Sequence, residues 1–242
     1  MASVRPAAVA GAFYPANSRA LRAVVHEHLD TARENSAPSA DWPKALIVPH
    51  AGYMYSGATA ARGFVTLEAG RDVIDRVVLV GPSHHVPFEG LAVPSSTAFE
   101  TPLGRVPIDE SARRRVLDLP FVRELDEPHH WEHSLEVQLP FLQEVLATFS
   151  LLHLAVGRAS PAEVTAILEA LCGGDETVVV VSSDLSHHHP YASAKRMDSA
   201  TAQAIEALRP SDIGYEDACG GNGIRGLLQI AQRRALTTQT LD

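Results

Sequence analysis

Three short runs of this chain are apolar at nearly every position: Ala45-Leu-Ile-Val48, Val77-Val-Leu-Val80 and Val178-Val-Val-Val-Ser182. A strand with one wet face would alternate, so these runs read as strands of a parallel sheet covered on both faces. A fourth run, Leu151-Leu-His-Leu-Ala-Val156, is interrupted by His153. Leu91–Val93 and Arg105–Ile108 read as further strands, the second following a turn at Thr101-Pro-Leu-Gly104. Helical spacing fills the intervals. From Ser18 to Arg33 the positions Leu21, Val24, Val25, His28, Leu29 and Ala32 share one face. Ser160-Pro-Ala-Glu163 supplies a serine N-cap, a proline at the first helical position and a glutamate at N3. The helix it opens stops near Cys172, at Gly173-Gly174. Ser134–Leu146 reads as helical with an interruption at Pro140, and residues 193–208 and 222–235 as the remaining helices. Strands alternating with helices predict an α/β fold: a single domain around a mainly parallel or mixed central sheet flanked by helices.

Charge and composition narrow the function classes. The 242 residues carry a formal net charge of −9 with no basic block, which argues against nucleic acid or an anionic membrane surface as partner. No apolar run is long enough for a membrane-spanning helix. Two cysteines, Cys172 and Cys219, make no disulfide framework and point to a reducing, cytoplasmic setting. The stretch from Ala7 to Tyr14 is weakly hydrophobic and bounded by prolines, so it reads as a structured loop rather than a leader.

Twelve histidines change the picture, because nine fall in four short segments: His50; His84 and His85; His129, His130 and His133; His187, His188 and His189. Three of the strong strands run directly into these segments, and open α/β folds bind ligands beyond the carboxyl ends of their strands. One histidine after a strand is ordinarily a hydrogen-bonded loop residue, whereas three clusters at one sheet edge favour a metal or acid–base site. Adjacent side chains diverge, so His129, His130, His188 and His189 read as supporting or surface residues. His26 reads as a solvated helix position and His28 as packing. Glu132 and Glu136 lie four apart, where they either cap a helix and compensate its dipole, or orient a metal-binding histidine or take a proton. Cys172 reads as a core residue. Cys219, in the turn Ala218-Cys-Gly-Gly-Asn-Gly223, is open between a turn residue and a ligand or nucleophile.

Taken together, the motifs resemble the Memo family, also called AmmeMemoRadiSam system protein B. The resemblance is carried by Val9-Ala-Gly-Ala-Phe-Tyr-Pro15, Val48-Pro-His-Ala-Gly-Tyr53, Tyr55-Ser-Gly57, Gly81-Pro-Ser-His-His85 and Thr101-Pro-Leu-Gly104. It continues through Glu132-His-Ser-Leu-Glu-Val-Gln-Leu-Pro140, Ser182-Ser-Asp-Leu-Ser-His187 and Cys219-Gly220. It implies a fold similar to class III (LigB-type) extradiol dioxygenases, with His50, His84 and Cys219 as metal ligands in place of two histidines and a glutamate. It also implies His187 at the dioxygenases' catalytic position with Asp184 beside it, and this turns Cys219 towards function. His133 and Glu132 complete the expected catalytic set.

A thiolate in place of a carboxylate softens the site, so iron or copper is the expected metal, with zinc as an alternative. It also adds an oxidisable ligand, so dioxygenase activity is not expected simply to carry over. The resemblance implies a pathway shared with a radical-SAM protein and an AMMECR-like protein, and an unidentified small-molecule or peptide ligand. Two other functions compete with a redox centre: a non-catalytic binding or assembly module that keeps the pocket, and a zinc-dependent hydrolase. Family members usually continue beyond the helix after the Cys-Gly turn into a final apolar strand. Residues 1–242 are therefore expected to form one Memo-like domain lacking that strand, with a sheet edge left exposed.

Overall fold

The computed structural model describes residues 3–37 and 39–242. Its centre is a six-stranded sheet in the order β2-β9-β3-β8-β4-β7, formed by β2 (Ala45–Val48), β9 (Thr177–Ser182), β3 (Arg76–Pro82), β8 (Ser150–Val156), β4 (Leu91–Val93) and β7 (Val122–Glu124). The first four strands are mutually parallel; β4 runs antiparallel to β8, and β7 is parallel to β4. The sheet is therefore mixed. A smaller three-stranded sheet pairs β1 (Val4–Arg5), β5 (Ala98–Thr101) and β6 (Gly104–Pro107). The strand expected at Arg105–Ile108 thus belongs to this second sheet, with Ile108 making only an isolated bridge to Leu151 in the large one.

The apolar runs are explained by two cores, one on each face of the large sheet. Val77, Leu79, Leu151, Val178 and Val180 point into the first, and Val78, Val80, Leu152, Val179 and Val181 into the second. Alternate residues of one strand thus enter different cores, so neither set can be polar. The first core is closed by α1 (Ser18–Glu34), α2 (Tyr53–Phe64), α5 (Leu139–Val145) and the small sheet. The second is closed by α3 (Glu110–Leu117), α6 (Pro161–Leu171) and α8 (Gly221–Arg233). The other helices are α4 (Glu127–His130) and α7 (Tyr191–Glu206).

Local signals account for several element ends. The capping box of Ser160 and Glu163 forms in full, and Gly173 takes a φ of +46° after α6. Pro140 lies in the first turn of α5, so the expected Ser134–Leu146 helix splits into a 3-10 turn at Glu136–Gln138 and α5 itself. Ala7 to Tyr14 is a structured loop, turned at Gly11 (φ +87°) and pinned by buried Tyr14. β2 and β7 are the sheet's edges. Past α8 the chain is irregular and touches α2, where Thr59 donates to Asp242 at 2.6 Å.

Candidate metal centre

The topology brings the histidine loops together. β9 lies between β2 and β3, and all three run parallel, so their carboxyl ends are neighbours. His50 follows β2, His84 follows β3 and Asp184 follows β9. The segment holding Glu132 and His133 arrives from α4, and Cys219 sits just before α8. The turn at Gly220 is tight: a Cβ there would meet the Ser182 carbonyl oxygen at 2.6 Å. Glycine lets Cys219 approach the end of β9.

Hydrogen bonds set which nitrogen each imidazole presents. The Ser182 hydroxyl donates its one hydrogen to the Ser134 carbonyl (2.6 Å) and accepts from Gln138 Nε2 (2.9 Å). Its remaining lone pair lies 2.8 Å from His50 Nδ1, so Nδ1 carries the hydrogen there. Nε2 of His50 is left facing Cys219 Sγ, 3.2 Å away. His84 follows the same logic: Nδ1 donates to Glu132 Oε1 at 2.9 Å, which leaves Nε2 for the site. A carboxylate or hydroxyl behind the ring is the usual support of a metal-binding histidine.

Glu132 is a buried support rather than a residue open to substrate. Its carboxylate accepts from His84 N (2.6 Å), His84 Nδ1 and Ser134 N (2.9 Å). Burial opposes its charge, yet these hydrogen bonds, foremost that of His84, hold its pKa down to about 2. For His84 burial again opposes the charge, but hydrogen bonds with Cys219 and Glu132 bring the pKa up to about 10. Burial raises the Cys219 thiol's pKa, and hydrogen bonds with His50 and His84 outweigh it, lowering the pKa to about 6. Without a metal the two groups favour thiolate and imidazolium near neutral pH, and a cation bound there would take the place of the His84 Nε2 hydrogen.

His133 packs its ring against His84 (4.7 Å between centroids) and Phe13 (4.5 Å). Burial lowers its pKa to about 4; the charge of Glu132 works against this, while His84, His50 and His85 add to it. One donor nitrogen each from His50, His84 and His133 lies within 4.8 Å of the other two. Asp184 ties the loops together: Oδ1 accepts from His50 N at 2.7 Å, and its carbonyl accepts from Cys219 N at 3.2 Å. A cavity of about 40 Å³ beside Cys219 is lined by Gly81, Pro82, Val156, Gly220, Asn222 and Gly223, among others.

His50, His84, Cys219, Asp184, Glu132 and His133 are thus assembled in one place. His187 stands apart at the rim, half-exposed, with Nε2 3.6 Å from Asp184 Oδ2. His130, His188 and His189 face solvent. His129 is instead fully buried, its Nδ1 3.0 Å from that of His153. Glu136 neither caps a helix nor joins the site. It is buried against Arg5, Tyr14 and the backbone of Ala8 and Val9, anchoring the amino-terminal loop. Sequence reasoning assigned no role to Ser182 or Gln138, although both stand in the motifs that carry the site. The available signals were the position of Ser182 at the end of β9 and that of Gln138 in the segment just after Glu132 and His133.

The imidazoles of His50, His84 and His133, with the Cys219 thiol beside His50, would suit a borderline-to-soft transition metal, since imidazole and thiolate both favour copper, zinc and iron over magnesium or calcium. Comparison with known proteins agrees with the motifs. The family model described as Memo-like protein matches residues 5–227. A MEMO1 family protein of Aeropyrum pernix is 36% identical over 261 aligned positions, covering 98% of this chain and 91% of its own. Another, of Aquifex aeolicus, is 34% identical over 217, covering 88% and 78%. A third, of Archaeoglobus fulgidus, is 35% identical over 210, covering 83% and 74%. With its motifs in order along an α/β domain and a match spanning nearly its whole length, the chain belongs to the Memo family.

Proposed function

We propose that this chain is a cytoplasmic metal-binding protein whose centre takes iron or copper on His50, His84 and Cys219. The observation that carries this reading is the His50–Cys219 approach of 3.2 Å, made by an imidazole whose other nitrogen is already held by Ser182. A bound iron or copper would supply one-electron redox chemistry and a Lewis-acidic position. The protein's own residues do the rest. Glu132 fixes the ring of His84, Ser182 fixes that of His50, and Asp184 joins the two loops that bring His50 and Cys219 together. His187, whose Nε2 lies 3.6 Å from Asp184 Oδ2 at the rim, would be the catalytic histidine of the pocket. The dioxygenase-like character of the pocket belongs to this proposal, as does a pathway shared with a radical-SAM protein and an AMMECR-like protein, which rests on family membership.

The test is metal analysis of freshly purified protein handled anaerobically. Stoichiometric iron or copper that is lost in the His50→Ala/His84→Ala double variant supports the centre. Protein that binds neither metal, even when it is supplied in excess under anaerobic conditions, overturns it. Oxygen uptake over catechol-like substrates by the loaded protein would then define its chemistry, and zinc-only loading with hydrolysis would redirect it.

A further inference from the structure

The set of His50, His84 and Cys219 leaves one more side chain at the site unexplained. His133 is neither a surface residue nor an ordinary core histidine. Its side chain is 17% exposed, its ring is clamped between Phe13 and His84, and the Glu132 carboxylate lies 3.4 Å from its Nδ1. The His84–His133 ring planes are nearly parallel, 23° apart, while His50 stands edge-on to both, at 74° and 84°. Among the described residues no hydrogen bond joins these three rings to one another. The three imidazoles each bring one donor nitrogen to within 4.8 Å of the other two. Such crowding is unfavourable for three protonated rings and favourable for three lone pairs around a cation. Glu132 stands behind His84 and faces His133, so one carboxylate serves two rings.

We propose that His133 is a third imidazole ligand, so that the centre holds its metal on His50, His84 and His133, with Cys219 as a fourth donor. This rests on the metal-centre reading above and deepens it. It has a consequence which the set of two histidines and a cysteine does not share. Loss of the thiolate leaves three imidazoles, still enough to hold a metal, whereas loss of His133 leaves the thiolate bond in place and weakens the grip.

Cobalt(II) is a suitable probe, because its visible bands intensify in four-coordinate sites and a thiolate ligand adds a near-ultraviolet charge-transfer band. The wild-type protein is expected to show both. Cys219→Ser should lose the charge-transfer band and keep its cobalt. His133→Gln should keep that band, lose visible intensity and bind cobalt roughly 10-fold more weakly or worse, comparable to other perturbations of ligand shells. His133→Asp, which offers a carboxylate in place of the imidazole, should recover part of the affinity with shifted bands. It also serves as the second test if the glutamine variant does not fold. Wild-type bands and affinity in His133→Gln, or in His133→Asp, would overturn the assignment. So would complete loss of cobalt from Cys219→Ser. A wild-type protein that binds no cobalt, iron or copper would overturn the metal centre itself, a failure distinct from that of His133 alone.

Discussion

Glu132 carries three hydrogen bonds on one carboxylate, all from the loops that present the site. Glutamine at this position has one acceptor oxygen and must turn its amide hydrogens towards a donor. The Glu132→Gln substitution should therefore destabilise the protein by about 2–3 kcal/mol, read from urea unfolding. It should also weaken metal binding by roughly 10- to 100-fold, since His84 loses the charge behind its ring. A variant with native stability and affinity would show that the carboxylate is incidental. Ser182 acts on the same scale: one hydroxyl hydrogen, spent on the Ser134 carbonyl, puts a ring hydrogen of His50 on Nδ1. No pattern of residue types in a sequence reports how a single hydrogen is spent, and for that reason Ser182 was legible only as part of a motif.

At the scale of elements, α2 is the instructive case, because it contains Gly57 and Gly63 and escapes helical pattern reading. Both glycines answer to neighbours. A Cβ on Gly57 would lie 2.6 Å from His28 Nε2, and one on Gly63 would lie 2.9 Å from a Val48 methyl. The helix gives up intrinsic propensity so that α1 and β2 can approach it closely. Gly57→Ala should cost about 1–3 kcal/mol by overpacking, and His28→Ala in the same protein should recover a measurable part. Strict additivity of the two substitutions would show that they do not meet. The strands were legible because burial on both faces left them apolar throughout, and the α6 start because its capping residues act locally. The short strands β1, β5 and β7 were not, since their pairing depends on partners distant in the chain. The site was largely legible for one physical reason: three strand ends that are adjacent in space each carry a histidine or its support. The burial of His129 was not, because nothing near it in sequence announces His153.

For the whole molecule, that buried pair predicts behaviour in acid. Burial and the nearby Arg5 charge hold the pKa of His129 down to about 4, and burial, His129 and Arg5 hold His153 well below the usual histidine range. Asp126 and Glu132 oppose this for His129 without overcoming it. The unfolded chain binds protons on these rings near pH 6.5, so it binds more than the folded state below that pH. Their contribution is complete above about pH 6.5 and falls as the pH drops towards 4, with roughly 3 kcal/mol from His129 alone once the loss is complete. Glu132 and Asp109, both held at about 2, add a second loss below roughly pH 4.5. Unfolding free energies measured between pH 7 and 4.5 should fall steeply in the wild type and less so in a His129→Asn/His153→Leu double variant. Equal slopes would acquit the pair. Metal should act in the opposite direction: at 100 times its Kd it should raise stability by about 2.7 kcal/mol, if it binds only the folded state.

The position of β9 between β2 and β3 also sets a timetable. A chain emerging from the ribosome makes β2 and β3 early, and β3 can pair with β8 once Ser150–Val156 is made, yet β2 has no neighbour in the sheet until the segment Thr177–Ser182 arrives to sit between β2 and β3. Cys219 comes later still, 169 residues after the histidine it faces. A partly synthesised chain offers isolated imidazoles and no site. On this order the centre closes late in folding, and a metal ion held by all its donors would mark a finished molecule.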